Sequence, residues 1–348
     1  MADKDEIVFI DYPTLQFEIL KIIQLLKKAN FMSAEKSSLK VILDTFITLN
    51  STIETNGAPN AKQILLPFIT LFESENITGS IVETCVETCE SLIKFIMPVC
   101  DEQIVSSLLA SLLKCRFEAT ESPKDELVLF KIMRMIYILL DFSLVSDDLY
   151  FSIFQTGFSI CFQKRLEDNL RLEALLFMKD AIYKLKGKRS DAHYIRVLEL
   201  LCKNLKGDNE YCTTSSLTIL SDFILIAAPT IKKSEPVIQY ITDEVCRQIL
   251  ILINSASPDI VLHSLRLADI LFQKFPSYLK FELEYFLKTL TEKIAFLSLG
   301  IKKQSNFEIL ELILNWLVTV SFFNSRTFAE KILYLLYLLS MTVIQNVE

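Results

Sequence analysis

The sequence predicts an all-α protein, and three observations carry that prediction. Six glycines and nine prolines in 348 residues leave too little punctuation for a β-rich chain. Apolar residues recur at helical spacing along almost the whole length. Several helix-start signatures stand immediately ahead of those apolar patterns. The patterns return roughly every 20 residues or less, so paired helices give units near the ~40-residue period of armadillo and HEAT arrays. The expected architecture is therefore an armadillo/HEAT-like helical solenoid of stacked antiparallel helix pairs, although no consensus repeat is readable.

Taken in chain order, the first clear start is Ser80-Ile81-Val82-Glu83, which fits a capping box in which serine and glutamate satisfy each other's orphan amides. At Ser122-Pro123-Lys124-Asp125, Ser122 is placed to cap, Pro123 has its φ set for a first helical position, and Asp125 faces the positive end of the dipole. Val128, Ile132, Met135, Ile136 and Leu139 follow at helical spacing, with Lys131 and Arg134 as a narrow polar edge. So wide an apolar arc predicts a helix covered on both sides. Ser257-Pro258-Asp259 repeats the cap-then-proline start. From Tyr278 onward, Leu283, Phe286, Leu287, Leu290 and Ile294 make an apolar face, with Lys280, Glu284 and Lys288 as an i, i+4 ladder on the other. A further capping box is read at Ser305-Asn306-Phe307-Glu308.

The main boundary is Lys184 to His193, where Gly187 and five basic residues interrupt the apolar rhythm. It divides the chain into regions 1–186 and 191–348. A break this short cannot serve as a free tether, so the flanking helices are expected to pack directly. Its basic residues read as a solvated loop rather than a lipid contact, because stable peripheral binding usually needs a second signal.

Composition excludes several functions. The net charge is −7, with Lys and Arg scattered, so the footprint of a nucleic-acid binder is absent. The amino terminus is acidic where a signal peptide needs positive charge. Two apolar runs, Ile309 to Phe323 and Ile332 to Ile344, fall short of the roughly 18 to 20 uncharged residues that span a bilayer and are expected to be core helices. The hydrophobic share of 51% demands a large continuous core or an exposed apolar patch, and either suits a scaffold that binds partners.

No catalytic, cofactor-binding or metal site is predicted. The cysteines at 85, 89, 100, 115, 161, 202, 212 and 246 show no C-x-x-C and no histidine at ligand spacing. Cys85 and Cys89 share one helix face without a third ligand, so all read as buried apolar thiols of a reducing compartment, the cytosol. His193, placed in a turn between the two regions, and His263, on a helix, lack the nucleophile and carboxylate of a triad and read as solvated or capping residues. Asp147 with Asp148, and Asp243 with Glu244, are placed just after helix starts, where carboxylates stabilise the dipole.

The words of the sequence add a resemblance. "LLPFITLFESENITGSIVETCVETCESLIKFI" from Leu65, "CRFEATESPKDELVLFKIMRMIYILL" from Cys115 and "LVSDDLYFSIFQTGFSICFQKRLEDNLRLEALLFMKDAIYKL" from Leu144 resemble the dimerisation-and-cyclophilin-binding region of the large Arf guanine-nucleotide exchange factors. The likeness is to the Golgi-type, brefeldin-A-resistance-factor branch. "YIRVLELLCKNL" from Tyr194, the stretch from Tyr240 to Phe275 and "YLKFELEYFLKTLTEK" from Tyr278 resemble the homology region upstream of the catalytic domain in those factors. Together the matches run from about Phe46 to Phe323.

Two departures qualify it. After Phe323 the family presents an Asn-aromatic-Asp-Cys-Asp box, whereas this chain reads "NSRTFAEKILYLL". No stretch resembles the exchange domain, so nucleotide exchange is not expected of the chain as written. The resemblance implies a regulatory module, either a fragment, an incomplete gene model or a reduced relative. It further implies homodimerisation, binding of small GTPases of the Arf or Rab type, and recruitment to Golgi membranes from the cytoplasm. The rivals are the front part of a longer active exchange factor, with its catalytic domain beyond Glu348, and a generic helical-repeat adaptor.

Overall fold

A computed structural model of the chain describes residues 12–32, 36–55, 59–74, 77–96, 100–117, 122–142, 146–161, 168–184, 189–205, 209–298 and 304–321, with four further helical positions at Leu333, Tyr334, Tyr337 and Ser340. The described residues form helices and connections, with no strand, as the scarcity of glycine and the apolar periodicity predict. They fall into two compact units, Met1–Leu185 and Lys186–Glu348.

The first unit contains α1 (Tyr12–Met32), α2 (Lys36–Glu54), α3 (Ala61–Phe72), α4 (Gly79–Ile96), α5 (Glu102–Lys114), α6 (Ser122–Leu139), α7 (Asp147–Cys161) and α8 (Asp168–Lys184). Neighbours pair, α1 on α2 and α7 on α8, and the pairs stack through α1 on α4, α3 on α5, α4 on α6 and α6 on α8. Starts are set by local chemistry. Asn60 and Gln63 form a reciprocal capping box at α3, and Asp101 accepts from the Gln103 amide at α5. The box predicted at Ser80 is displaced: α4 begins at Gly79, the Thr78 carbonyl accepts the first helical bonds from Ile81 and Val82, and Ser80 lies inside the first turn. Gly79 sits close to its neighbours there: a Cβ would lie 3.0 Å from Asp125 Oδ1 and 3.3 Å from the Phe117 ring, which would have to give by a few tenths of an ångström.

Glu83 is drawn elsewhere. Its Oε1 lies 2.5 Å from Lys131 Nζ, which also reaches Glu87 Oε1 at 2.6 Å, while Arg134 meets Glu90 at 2.9 Å. The polar edge of α6 is thus a clamp onto α4. Burial disfavours the Lys131 charge, but the hydrogen bonds and attraction of Glu83 and Glu87 outweigh it and raise its pKa. All five apolar positions predicted for α6 are buried, and the helix is covered by α4, α5 and α8. A second close approach joins α7 to α8, where a Cβ on Gly157 would come within 2.5 Å of Met178 Cγ and 2.8 Å of its Sδ. Phe46 and Phe68, both fully buried, meet edge to face at 5.3 Å between α2 and α3.

The second unit contains α9 (Asp191–Asn204), α10 (Glu210–Ile231), α11 (Glu235–Tyr240), a π-helical turn (Ile241–Val245), α12 (Cys246–Ile253), α13 (Pro258–Lys274), α14 (Lys280–Ser298) and α15 (Gln304–Ser321). Here α10 packs on α9 and α13, and α13 packs in turn on α12 and α15. Ser190, Asn209, Ser234 and Ser257 cap their helices by accepting an amide three residues on, with Pro258 first in α13 as predicted. The serine predicted as a cap at 305 falls inside α15, which begins at Gln304.

Phe286 stands 5.5 Å from Phe272 and 5.0 Å from Trp316, so one aromatic cluster joins α13, α14 and α15. The apolar run from Ile309 is a core helix, with Ile309, Leu310, Ile313, Trp316 and Leu317 buried and Glu311 exposed. The second run, Ile332 to Ile344, differs at the positions described: Leu333, Tyr334 and Tyr337 are helical and exposed, and the rest lies outside the described residues. Among the described residues, α10 is long and apolar enough to cross a membrane, at a mean hydropathy of 1.5. Half of that window is buried against the unit's own helices.

Candidate functional site

Among the described residues, the most exposed apolar side chains of the second unit lie on one side of α14. At 3.6 residues per turn, Phe281, Tyr285, Lys288, Glu292 and Phe296 share a face. Phe281, Tyr285 and Phe296 are 75%, 65% and 74% exposed. The opposite face is the predicted core stripe, Leu283, Phe286, Leu287, Leu290 and Ile294, all buried. Helix α14 packs on α12 and α15, which leaves the aromatic side to solvent.

At the carboxy-terminal half of this stripe a pocket of about 210 Å³ opens between the α12–α13 connection, α14 and the start of α15. Asn254, Ser255, Glu292, Phe296 and Asn306 line it together with Lys293, which is only 6% exposed. Lys293 Nζ donates to the Ser255 carbonyl at 2.6 Å. Removal from water pushes its pKa down to about 8. No carboxylate lies within 4 Å of this ammonium among the described residues.

The first unit carries a wider groove of about 700 Å³ between the end of α3, α5 and α7. Glu73, Lys114, Arg116, Ser152, Gln155 and Thr156 line it. Arg116 turns back to donate to the Cys115 carbonyl at 2.8 Å, and the mixed polar lining reads as a solvated cleft.

Both histidines differ from their sequence reading. His193 is buried in the first turn of α9, edge-on to Tyr194, with its backbone N–H donating to the Ser190 cap, so it is neither solvated nor in a turn. His263 is half-buried and joins α13 to α10 through Thr218, its Nδ1 lying 3.1 Å from Oγ1. Burial and, next, Arg266 lower its pKa. The two rings stand on different helices and form no common site. Asp147 and Asp148 do occupy the first turn of α7. Asp243 and Glu244 do not follow a helix start: they lie in the π-helical turn within the run from Glu235 to Ile253, and Glu244 pairs with Arg247 at 2.6 Å.

The thiols of Cys85, Cys89, Cys115, Cys202, Cys212 and Cys246 are buried and reduced, and Cys100 is half-buried. Burial pushes Cys100 up to about 11 and Cys115 up to about 12, and also raises Cys85, Cys89 and Cys246. Such thiols stay protonated and are poor nucleophiles. The side chain of Cys161 lies outside the described residues. Among the described residues no group of three or more His, Cys, Asp and Glu comes together to hold a metal.

Sequence reasoning missed Lys293 and the exposure of the α14 aromatics. Both had a signal. Lys293 follows Phe286 by seven residues and Leu290 by three, inside the apolar stripe, while Phe281, Tyr285 and Phe296 interrupt the charged ladder.

Comparison with known proteins places a domain on this unit. Residues 192–337 match the Sec7-like HUS family model, described as Mon2/Sec7/BIG1-like, HUS domain. The match covers less than half of the chain and supports its likeness to the amino-terminal region of large Arf exchange factors. The uncharacterized protein C211.03 of Schizosaccharomyces pombe is 24% identical over 298 residues, covering 70% of this chain. The chain spans 20% of that relative's length.

Proposed function

We propose that this chain is a non-catalytic regulatory scaffold of an Arf guanine-nucleotide exchange factor in Golgi vesicle transport. The observation that carries the reading is the HUS-domain match over 192–337, which falls on a unit whose described residues form packed helices and their connections. Such a stack offers broad surfaces and no built reaction centre. Its task would be to bind small GTPases of the Arf or Rab type, to self-associate as a homodimer, and to help bring the factor from the cytoplasm onto Golgi membranes. The ordered word matches favour the brefeldin-A-resistance-factor branch, and the domain model supports the wider group.

The exposed rings of α14 supply apolar area of the kind that association buries. A second reading, the front part of a longer active exchange factor, is favoured by the greater length of the fission-yeast relative.

The test immobilises the full chain and presents Arf- and Rab-type GTPases loaded with a non-hydrolysable GTP analogue or with GDP. Retention selective for the GTP form is expected, with no acceleration of nucleotide release in a fluorescence exchange assay. Equal retention of both forms, or none of either, would overturn the GTPase role. Light scattering at micromolar concentration, in low and high salt, should report a dimer held mainly by apolar burial. A monomer throughout would remove that part.

A further inference from the structure

We infer that the pocket between the α12–α13 connection, α14 and α15 is a recognition site for a single carboxylate, presented by an acidic side chain of a protein partner. The inference stands on the geometry of the second unit and does not depend on the exchange-factor reading.

Its centre is Lys293. An ammonium carries three N–H donors and, when buried, is ordinarily balanced by a carboxylate. Here the residue is only 6% exposed, and its side-chain hydrogen-bond partner among the described residues is the Ser255 carbonyl at 2.6 Å. That bond leaves two donors, and the pocket of about 210 Å³ opens beside them. A charge kept in the interior at this cost is satisfied best by an acceptor of opposite sign that enters the space. Its pKa of about 8 has burial as its cause and means that an incoming anion would strengthen the charged form.

The surroundings choose among anions. Glu292 also lines the pocket, so a phosphate dianion would meet a like charge with, among the described lining residues, Lys293 alone to answer it. A monovalent carboxylate needs only the Lys293 donors, and amides from Asn254 and Asn306 also line the space. The volume suits one side chain, and Phe296, 74% exposed, stands at the edge with Phe281 and Tyr285 further along the same face. An acidic residue flanked by apolar neighbours could insert its carboxylate and lay those neighbours across the rings. Lipid headgroups are disfavoured, because among the described residues Lys293 is the one cation that lines the pocket, and a single buried cation offers little attraction to an anionic membrane.

The test follows the Lys293 titration by NMR in the full chain labelled with 13Cε-lysine, with the resonance assigned by its loss in Lys293→Met. Acetate should move the midpoint upward by about half a unit or more, in a saturable way, relative to chloride at equal ionic strength, and phosphate should not. No movement with acetate, or an equal or larger movement with phosphate, would overturn the inference.

A second arm compares the peptide Ac-Phe-Asp-Phe-NH2 with its Asn counterpart. The Asp peptide should act at a half-saturating concentration about tenfold below that of acetate, with the gain reduced in Phe296→Ala, as apolar contacts of this size allow. An Asn peptide that works equally well, or acetate that outperforms the Asp peptide, would remove the protein partner from the assignment.

Discussion

Replacing Gly157 by alanine sets two known magnitudes against each other at one contact. Gly157 lies inside α7, so on helix propensity alone the change should stabilise by about 1 kcal/mol. The new Cβ would sit 2.5 Å from Met178 Cγ and 2.8 Å from Sδ, and Met178 is fully buried on α8. Forcing a methyl into packed space costs about 1–3 kcal/mol, and the thioether can yield only part of it because Cγ is close to the backbone. The net expectation is a loss of about 1 kcal/mol, or a fall of roughly 2–4 °C in melting temperature for a unit of this size.

The background Met178→Ala decides the cause. That change costs about 2–5 kcal/mol by itself, but it opens space for the new methyl, and Gly157→Ala should then stabilise by up to about 1 kcal/mol. The assay is urea unfolding of the four proteins of this cycle. Far-UV circular dichroism follows both units, while the single tryptophan, Trp316, reports on the second, so comparing the two signals isolates the first. If Gly157→Ala stabilises equally in both backgrounds, the close approach of α7 and α8 is refuted.

Three further outcomes are expected. Lys131→Met should cost about 1–2 kcal/mol, because two part-exposed ion pairs are lost and Glu83 and Glu87 are left facing each other; thermal unfolding in low and high salt should show the deficit shrinking with salt. Phe286→Ala, which empties the aromatic cluster of α13, α14 and α15, should cost about 3–5 kcal/mol and shift the Trp316 fluorescence transition most. His263 has a lowered pKa in the fold, so as pH falls through its ordinary value of about 6.5 the unfolded chain takes up the proton first. Stability of the second unit is therefore lost on acidification, and His263→Gln should flatten urea midpoints between pH 7 and 5.

Helix faces were legible in the sequence because burial follows the 3.6-residue period without reference to the partner. Val128, Ile132 and Met135 on α6, and Leu283, Leu287 and Leu290 on α14, were assigned to the core from spacing alone and are buried. What the sequence could not reveal depends on which distant groups arrive opposite. Glu83 has the spacing of a capping box with Ser80, but a lysine 48 positions away offers it a charge, which outbids an amide. His193 looked solvated because its neighbours in sequence are polar, yet the turn of α9 carries its ring against Tyr194. The candidate site was hidden for the same reason: a lysine at an apolar position reads as an irregularity until its surroundings show a pocket rather than solvent.

One property of the helix pairing bears on how the chain comes into being. Within each unit a helix finds its principal partners one to three places away along the sequence, as in α7 with α8, α4 with α6 and α10 with α13. Closing such contacts needs only short loops, so the entropy of ordering is recovered almost as soon as it is spent. During synthesis each helix that leaves the ribosome meets a surface already made by the two or three before it. The raw apolar edge of the growing chain then lasts only until the next helix docks, which limits the time in which so hydrophobic a sequence can aggregate.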